Sequence, residues 1–224
     1  MNDEAKAAKE IAKTAGKGID AGRELGGFIA RFISGPIEQG MGIFEDKLKY
    51  MRWERQLRLK RRAEQYLREI GLEEPTRAVP MKIAIPLIQA ASLEEDDELQ
   101  DTWVRLLVNA GDSSRDLEVK RMYITILEDL ASLEVEILNT IYSSPDLRDG
   151  IGIWTHELPD TISLRGPKNS DTGPTPEVQL AIANLIRVGC LAPSSSYGGD
   201  ASLEFIYPTH LGKKLYEACT LRKK

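Results

Sequence analysis

The chain has 224 residues, of which 42% are hydrophobic and 29% are charged, and its formal net charge at pH 7 is −5. This balance is typical of a soluble globular protein with one large or two small domains. Its two cysteines and two histidines are too few for a disulfide scaffold, a cysteine-based zinc site or most histidine-based catalysis, so we expect no metal, no other cofactor and no enzymatic activity.

The first segment, residues 1–75, is predicted to contain two long helices. Apolar side chains recur every three or four positions over residues 3–34, which is the period of an amphipathic helix. A Gly-Pro pair then interrupts the pattern, and a second helix is predicted over residues 37–70. The acidic start of the chain is not typical of a secretory signal, so we expect a cytoplasmic location.

The second segment, residues 76–131, is predicted to be a central helical domain. Ser92 and Glu95 have the spacing of a capping box and predict that a helix begins just after Ser92. Gly111 is expected to end that helix. Its predicted buried stripe consists of Leu99, Trp103, Leu106, Leu107 and Ala110.

The third segment, residues 132–224, is predicted to be a winged-helix-like module. A helix should begin at Thr175-Pro176, since proline is favoured at the first helical position. Apolar runs on both sides of the polar turn 194–200 predict a β-hairpin. Residues 144–174 lack a periodic pattern and are interpreted as an irregular insertion, a lid or a partly disordered loop. The predicted fold class is mostly α, with this one small hairpin.

Small residues repeat along the N-terminal helix. Gly18, Gly22 and Gly26 are four residues apart, although each glycine costs about 1 kcal/mol inside a helix. Such a strip allows close approach to another helix, and the adjacent Phe28 and Phe32 would suit a bilayer surface. We therefore predict that these five residues contact a membrane or a second copy of the chain. The alternative is tight packing within a soluble bundle.

Residues 51–70 carry a net charge of +4 on the second predicted helix. Such a helix attracts anionic lipid headgroups or nucleic-acid phosphates. The alternative is a solvated helix face, or a face that packs onto residues 71–120, whose net charge is −6. The residues predicted to contact an anionic partner are Arg52, Arg55, Arg58, Lys60, Arg61 and Arg62.

Two other candidate sites are not favoured. The acidic run Glu94–Glu98 lacks the spacing of a calcium-binding loop, and helix capping accounts for most of it. The helix over 176–188 would enter a DNA groove in a winged-helix module, but Arg187 is its only basic residue. Sequence-specific DNA binding is therefore not expected. His156 and His210 lack a paired acid or nucleophile motif, and Cys190 is interpreted as a small buried apolar residue.

Residues 85–110, IPLIQAASLEEDDELQDTWVRLLVNA, resemble the core signature of the abortive infection alpha (Abi-alpha) proteins. The stretches Tyr123–Tyr142, 184–191 and 209–212 are similar to the same family, whereas residues 144–174 look like an extension. The glycine-rich and basic N-terminal helices are similar in kind. The resemblance implies bacterial defence against phage through damage or arrest of the infected cell, and it supplies no catalytic motif.

Two hypotheses from different classes follow. In the first, the protein is a non-enzymatic antiphage effector that responds to a phage or host protein and acts at the inner membrane, on anionic lipid, or as a homo-oligomer through its N-terminal helices. In the second, it is a regulatory or scaffold module that binds a protein or nucleic-acid partner. A salt-dependent gel shift would favour the second hypothesis, and leakage from anionic liposomes the first.

Overall fold

A computed structural model describes residues 26–33, 53–167, 173–195 and 201–222 of the chain. The described part is mostly helical and contains one small three-stranded antiparallel sheet. The predicted fold class, mostly α with a small hairpin, is therefore confirmed. The winged-helix assignment of the third segment stays a prediction.

The chain divides into two compact units. Unit 1 comprises Met1–Ile124 together with Thr220–Lys224, and unit 2 comprises Thr125–Cys219. The sequence suggested three segments, with divisions near residues 75 and 131. Within unit 1, however, the helix before residue 75 packs against helices after it, and these elements share one core.

Unit 1 is a set of helices around an apolar interior. Its helices are α1 (residues 26–32), α2 (Trp53–Glu69), α3 (Met81–Leu93) and α4 (Asp97–Ala110), and the division between units falls within α5 (Arg121–Glu128). Helices α2, α3 and α4 pack against one another in all three pairs. The large side chains that are fully buried on these helices are Leu59, Leu67, Leu87, Ile88, Trp103, Leu106 and Leu107.

Helix α4 ends where the sequence predicted but begins later. Gly111 caps its C-terminus, and the five residues of the predicted stripe are all buried. The predicted capping box at Ser92 and Glu95 is wrong, because α3 continues through Leu93. The side chain of Asp96 caps α4 instead and accepts hydrogen bonds from the backbone N–H groups of Glu98 (2.9 Å) and Leu99 (2.8 Å).

Unit 2 combines helices with the sheet. Its further elements are α6 (Ser132–Ser143), β1 (Ile153–Trp154), α7 (Pro176–Arg187), β2 (Leu191–Ser195), β3 (Ala201–Pro208) and α8 (His210–Cys219). The strands are antiparallel in the order β1-β3-β2, and the pair β2–β3 is the predicted hairpin. Helix α7 begins as predicted, with Thr175 as N-cap, and Gly189 follows it with φ +79°.

The interpretation of residues 144–174 as an irregular insertion needs correction over its middle part. Ile153 is fully buried and lies opposite Ile206 in the sheet, so this stretch supplies strand β1. Thr155 is also fully buried, and its hydroxyl donates to the carbonyl oxygen of Leu203 (2.8 Å). A two-residue strand is too short to produce an alternating pattern, which is why the sequence did not indicate it.

The correction at α4 can be tested with two matched substitutions. Asp96→Ala removes the cap and should lower the free energy of unfolding by about 1 kcal/mol. Ser92→Ala should be neutral or slightly stabilising, because the Ser92 hydroxyl oxygen is buried without a hydrogen-bond partner among the described residues. Urea denaturation of both variants measures the difference. A larger loss in Ser92→Ala than in Asp96→Ala would restore Ser92 as the cap.

Candidate functional site

The aromatic residues predicted to contact a membrane or a second copy lie in the interior of unit 1. Phe28 is 1% exposed and Phe32 is fully buried, and their ring centroids are 5.1 Å apart. Gly26 is buried as well, whereas Gly18 and Gly22 lie outside the described residues. A contact of Phe28 or Phe32 with lipid or with a second copy therefore requires α1 to leave this position.

Among the described residues, α1 makes few polar contacts with the rest of unit 1. The carbonyl oxygen of Phe32 accepts a hydrogen bond from the N–H group of Val79 (2.6 Å), and Ile33 forms a parallel bridge with Val79. Arg31 pairs with Glu64 of α2 at 3.3 Å, with both side chains about one-third exposed. A pair so exposed contributes about 0–1 kcal/mol, so burial of the apolar side chains is the main stabilising term.

The ring of Phe32 also explains why the residue that caps the C-terminus of α4, Gly111, is a glycine. A β-carbon added at Gly111 would lie 3.0 Å from Cε1 of Phe32 and 3.0 Å from Cβ of Pro75. These distances are closer than ordinary van der Waals contact, so a side chain here would displace the ring or the loop. The docked position of α1 therefore depends on glycine at this position.

The basic face of α2 lies against the start of α4. Arg55 donates to the carboxylate of Asp97 (2.5 Å) and to the carbonyl oxygen of Glu94 (2.6 Å). Arg58 pairs with Asp97 at 3.1 Å and with Asp101 at 2.9 Å. These arginines also neutralise the carboxylates that gather at the N-terminal turn of α4.

Asp101 is the most enclosed carboxylate of this cluster. It accepts hydrogen bonds from Arg62 through both of its oxygens and from the hydroxyl of Tyr66 (2.9 Å). Its side chain is 15% exposed, against 65% for Asp97. Burial acts to raise the pKa of Asp101, but the hydrogen bonds from Arg62 and Tyr66 and the charges of Arg58 and Arg62 outweigh it, so the pKa lies below its ordinary value.

The contacts with Asp101 also shift the pKa values of Arg62 and Tyr66. The hydrogen bond that Arg62 donates to Asp101 raises the pKa of Arg62. Burial and the hydrogen bond to Asp101 raise the pKa of Tyr66, so its hydroxyl stays protonated and remains a donor at neutral pH. The guanidinium of Arg62 also lies over the Tyr66 ring at 4.5 Å from its centroid, which is a cation–π contact.

Three of the six residues predicted to contact an anionic partner, Arg55, Arg58 and Arg62, face carboxylates of this chain, which is the arrangement that the alternative interpretation described. Arg61 is exposed and Lys60 is half-buried, so contact with an anionic partner stays a prediction for these two residues. Arg52 lies outside the described residues.

The acidic run is used for capping and pairing. Among the described residues, no group of three or more His, Cys, Asp or Glu side chains is arranged to hold a metal ion. Nor is any helix within the described ranges long and apolar enough to span a bilayer.

Cys190 is fully buried, as predicted, and burial raises its pKa to about 12, so its thiol stays protonated and poorly nucleophilic.

The sequence interpretation missed a row of aromatic side chains on the sheet of unit 2. The ring centroids of Trp154 and Phe205 are 5.1 Å apart, and those of Phe205 and Tyr207 are 5.5 Å apart. Two of the three rings alternate with Ile206 on β3, so a signal was present. Trp154 could not be added to the row before the pairing of β1 with β3 was known.

The low pKa of Asp101 predicts how stability depends on pH. Asp101→Asn should lower the free energy of unfolding by about 1–3 kcal/mol at neutral pH, because it weakens several charge-assisted hydrogen bonds. That contribution is fully present above the ordinary pKa of 3.8 and is lost as pH falls through the lowered pKa of the folded protein. The two stability curves should therefore converge in acid.

Denaturant titrations at constant ionic strength, from neutral pH into the acid range, measure this convergence. Asp97→Asn is the matched control, since Asp97 is far more exposed, and it should cost less at every pH. Equal losses in the two variants, or curves that stay parallel in acid, would contradict the dominant role of Asp101.

Comparison with known protein families agrees with the resemblance noted in the sequence. The profile of the abortive infection alpha family matches residues 54–219, about three-quarters of the chain. The match extends from α2 to α8 and includes residues 144–174, where no resemblance was noted. No curated protein and no solved structure shows a significant match. The paired arginines of α2, the capped helix α4 and the sheet of unit 2 are thus all part of the matched region, and the chain belongs to the abortive infection alpha family.

Proposed function

We propose that this protein is a non-enzymatic antiphage protein that acts by abortive infection. The match of the family profile to residues 54–219 is the observation that carries this proposal. Support for a non-enzymatic mode comes from the chemistry of the described polar groups. Asp97 and Asp101 are engaged by arginines, and the thiol of Cys190 is buried and protonated.

The N-terminal helices are the proposed acting part, either at the membrane or in a homo-oligomer. The support is the combination of glycines at four-residue spacing with the apolar face of α1. Because Phe28 and Phe32 are buried in unit 1, the docked form presents neither ring to a partner. In this proposal the docked helix is the resting form, and release of α1 produces the active form.

The energies involved are compatible with such a release. Burial of Phe28, Ile29 and Phe32 contributes at most about 1.5–3 kcal/mol for each side chain. A partner present at one hundred times its dissociation constant for the released form stabilises that form by about 2.7 kcal/mol, and at one thousand times by about 4.1 kcal/mol. Release of α1 therefore requires a phage or host protein, a bilayer or a second copy that is present far above its dissociation constant.

The assignment to phage defence is tested by challenging cells with phage. Cells that carry the full chain should survive as a culture, with part of the protein in the membrane fraction during infection. A chain that lacks residues 1–34 should stay in the supernatant and fail to protect. A truncated chain that is soluble and fully protective contradicts the proposed mode of action. Absence of protection by the full chain contradicts the defence function itself.

Release of α1 is tested by locking it in place with Ile33→Cys and Val79→Cys. These positions are bridge partners, and neighbouring strands lie about 4.8 Å apart, within the range of Cα separations that a disulfide spans. The oxidised variant should neither cause anionic liposomes to leak dye nor form oligomers. Addition of a reductant should restore whichever of these two activities the wild type has. The buried thiols of Cys190 and Cys219 should not compete.

The single variant Ile33→Cys, treated with the same oxidant, is the matched control and should behave like the wild type. Equal leakage or assembly by the oxidised and reduced double variant would show that release of α1 is not required. If the wild type neither releases dye from liposomes nor assembles, the proposal that it acts through these helices is wrong. The proposed defence function would still be tested by the phage assay alone.

A second candidate function is a module that binds a protein partner. The aromatic row on the sheet of unit 2 favours it, because these rings are only partly covered. The two candidates are compatible, since one unit can recognise a partner while the N-terminal helices act.

A further inference from the structure

The sheet of unit 2 has one face in the core and one outward face. Ile153 and Ile206 are fully buried and lie opposite each other in β1 and β3. Neighbouring residues in a strand point to opposite faces, so Trp154, Phe205 and Tyr207 share the other face. Trp154 is the register partner of Phe205, which places these two rings side by side across the strands.

This outward face is apolar, although an antiparallel sheet packed on one side normally carries polar residues on the other. Tyr207 is 39% exposed, and Trp154 and Phe205 are half-buried. Ala192 of β2 lies opposite Tyr207 and continues the apolar surface onto the third strand. The three rings and Ala192 are called the aromatic face below.

Two glycines leave room for the rings. A β-carbon at Gly152 would lie 2.5 Å from the Phe205 ring, and one at Gly166 would lie 3.2 Å from the Trp154 ring. Side chains at these positions would push the rings from the places they occupy. The glycines therefore allow the rings of Phe205 and Trp154 to lie close to the backbone.

Charge in unit 2 indicates the sign of a partner. Over 125–167, 173–195 and 201–219, unit 2 has eleven Asp and Glu residues against five Lys and Arg residues. The exposed Glu157 follows β1, whereas Glu204 of β3 alternates with the rings and belongs to the opposite face of the sheet. Phosphate-rich partners are repelled by such a unit, whereas cations are attracted both to its carboxylates and to the faces of aromatic rings.

We propose that the aromatic face binds an extended segment of a partner protein that carries Arg or Lys side chains. Phe205 and Tyr207 are two residues apart on a strand, so alternate side chains of an extended segment running along β3 meet successive rings. Guanidinium or ammonium groups lie over the rings, and the net negative charge of unit 2 adds attraction. A role for this face in sensing the infection trigger rests on the proposed function, whereas the binding itself does not.

The test uses the full-length protein and a short peptide of alternating arginine and valine residues, with binding measured by isothermal titration calorimetry. A peptide with glutamate in place of arginine and an oligodeoxythymidine of similar length are the comparison probes. The arginine peptide should bind, and the two anionic probes should bind at least about tenfold more weakly. Tighter binding of the oligonucleotide would overturn the proposal in favour of a nucleic-acid surface.

Tyr207→Ser should lower the affinity for the arginine peptide roughly tenfold, because it removes the most exposed ring without changing any charge. Leu180→Ser is the matched control, since Leu180 is 73% exposed on α7 of the same unit but lies outside the aromatic face. This variant should bind the arginine peptide with the affinity of the wild type. Unchanged affinity in Tyr207→Ser would show that the peptide binds only through the general negative charge, and would overturn the proposal.

Hydrogen exchange of the wild type with and without the arginine peptide provides a readout that needs no variant. Protection should increase around residues 152–154 and 205–207, and protection found only elsewhere would overturn the proposal. A protein that protects cells against phage but does not bind the peptide would refute this inference alone. Peptide binding by a protein that gives no protection would refute the proposed function alone.

Discussion

The pairing of Asp101 with the arginines of α2 holds α2 against α4 in unit 1. The carboxylate is enclosed by Arg58, Arg62 and Tyr66, and removal of either charge would leave its partner poorly compensated. The pairing also determines the chemistry of the surface, because guanidinium groups that face carboxylates of their own chain attract a phosphate or a lipid headgroup much less strongly. Packing of α2 against α4 and neutralisation of the paired arginines thus have one physical cause.

Local signals predicted most of the helices correctly, and the error at α4 shows their limit. The stripe from Leu99 to Ala110 and the Thr175-Pro176 start are set by residues within one or two turns. Several acidic residues and Ser92 could each cap α4 equally well. Which one does so depends on how far α3 continues, and that is decided by burial of Ala91 and Ser92 in the core of unit 1.

The sequence could indicate only part of each candidate site, because tertiary packing decides the rest. The spacing of Arg55, Arg58 and Arg62 places them on one face of a helix, and the opposite charge of the next segment was visible. Whether that face meets water, lipid or the segment itself depends on tertiary packing. The burial of Phe28 and Phe32 has the same origin, since an amphipathic face has the same pattern whether it covers a core or a bilayer.

Charge is used differently in the two units, and this constrains how a trigger and a target can be recognised. Arg55, Arg58 and Arg62 of α2 pair with carboxylates of unit 1, and residues 1–50 sum to zero charge, so that N-terminal stretch has little electrostatic preference for an anionic bilayer. Under the proposed function their membrane affinity would come mainly from the apolar side chains Phe28, Ile29 and Phe32, whose burial is insensitive to salt. Unit 2 has an excess of carboxylates as well as an aromatic face, so its proposed recognition of a cationic segment would weaken as salt rises. Under these two proposals recognition would weaken as ionic strength rises while membrane contact would change little, so titration with salt separates the two steps experimentally.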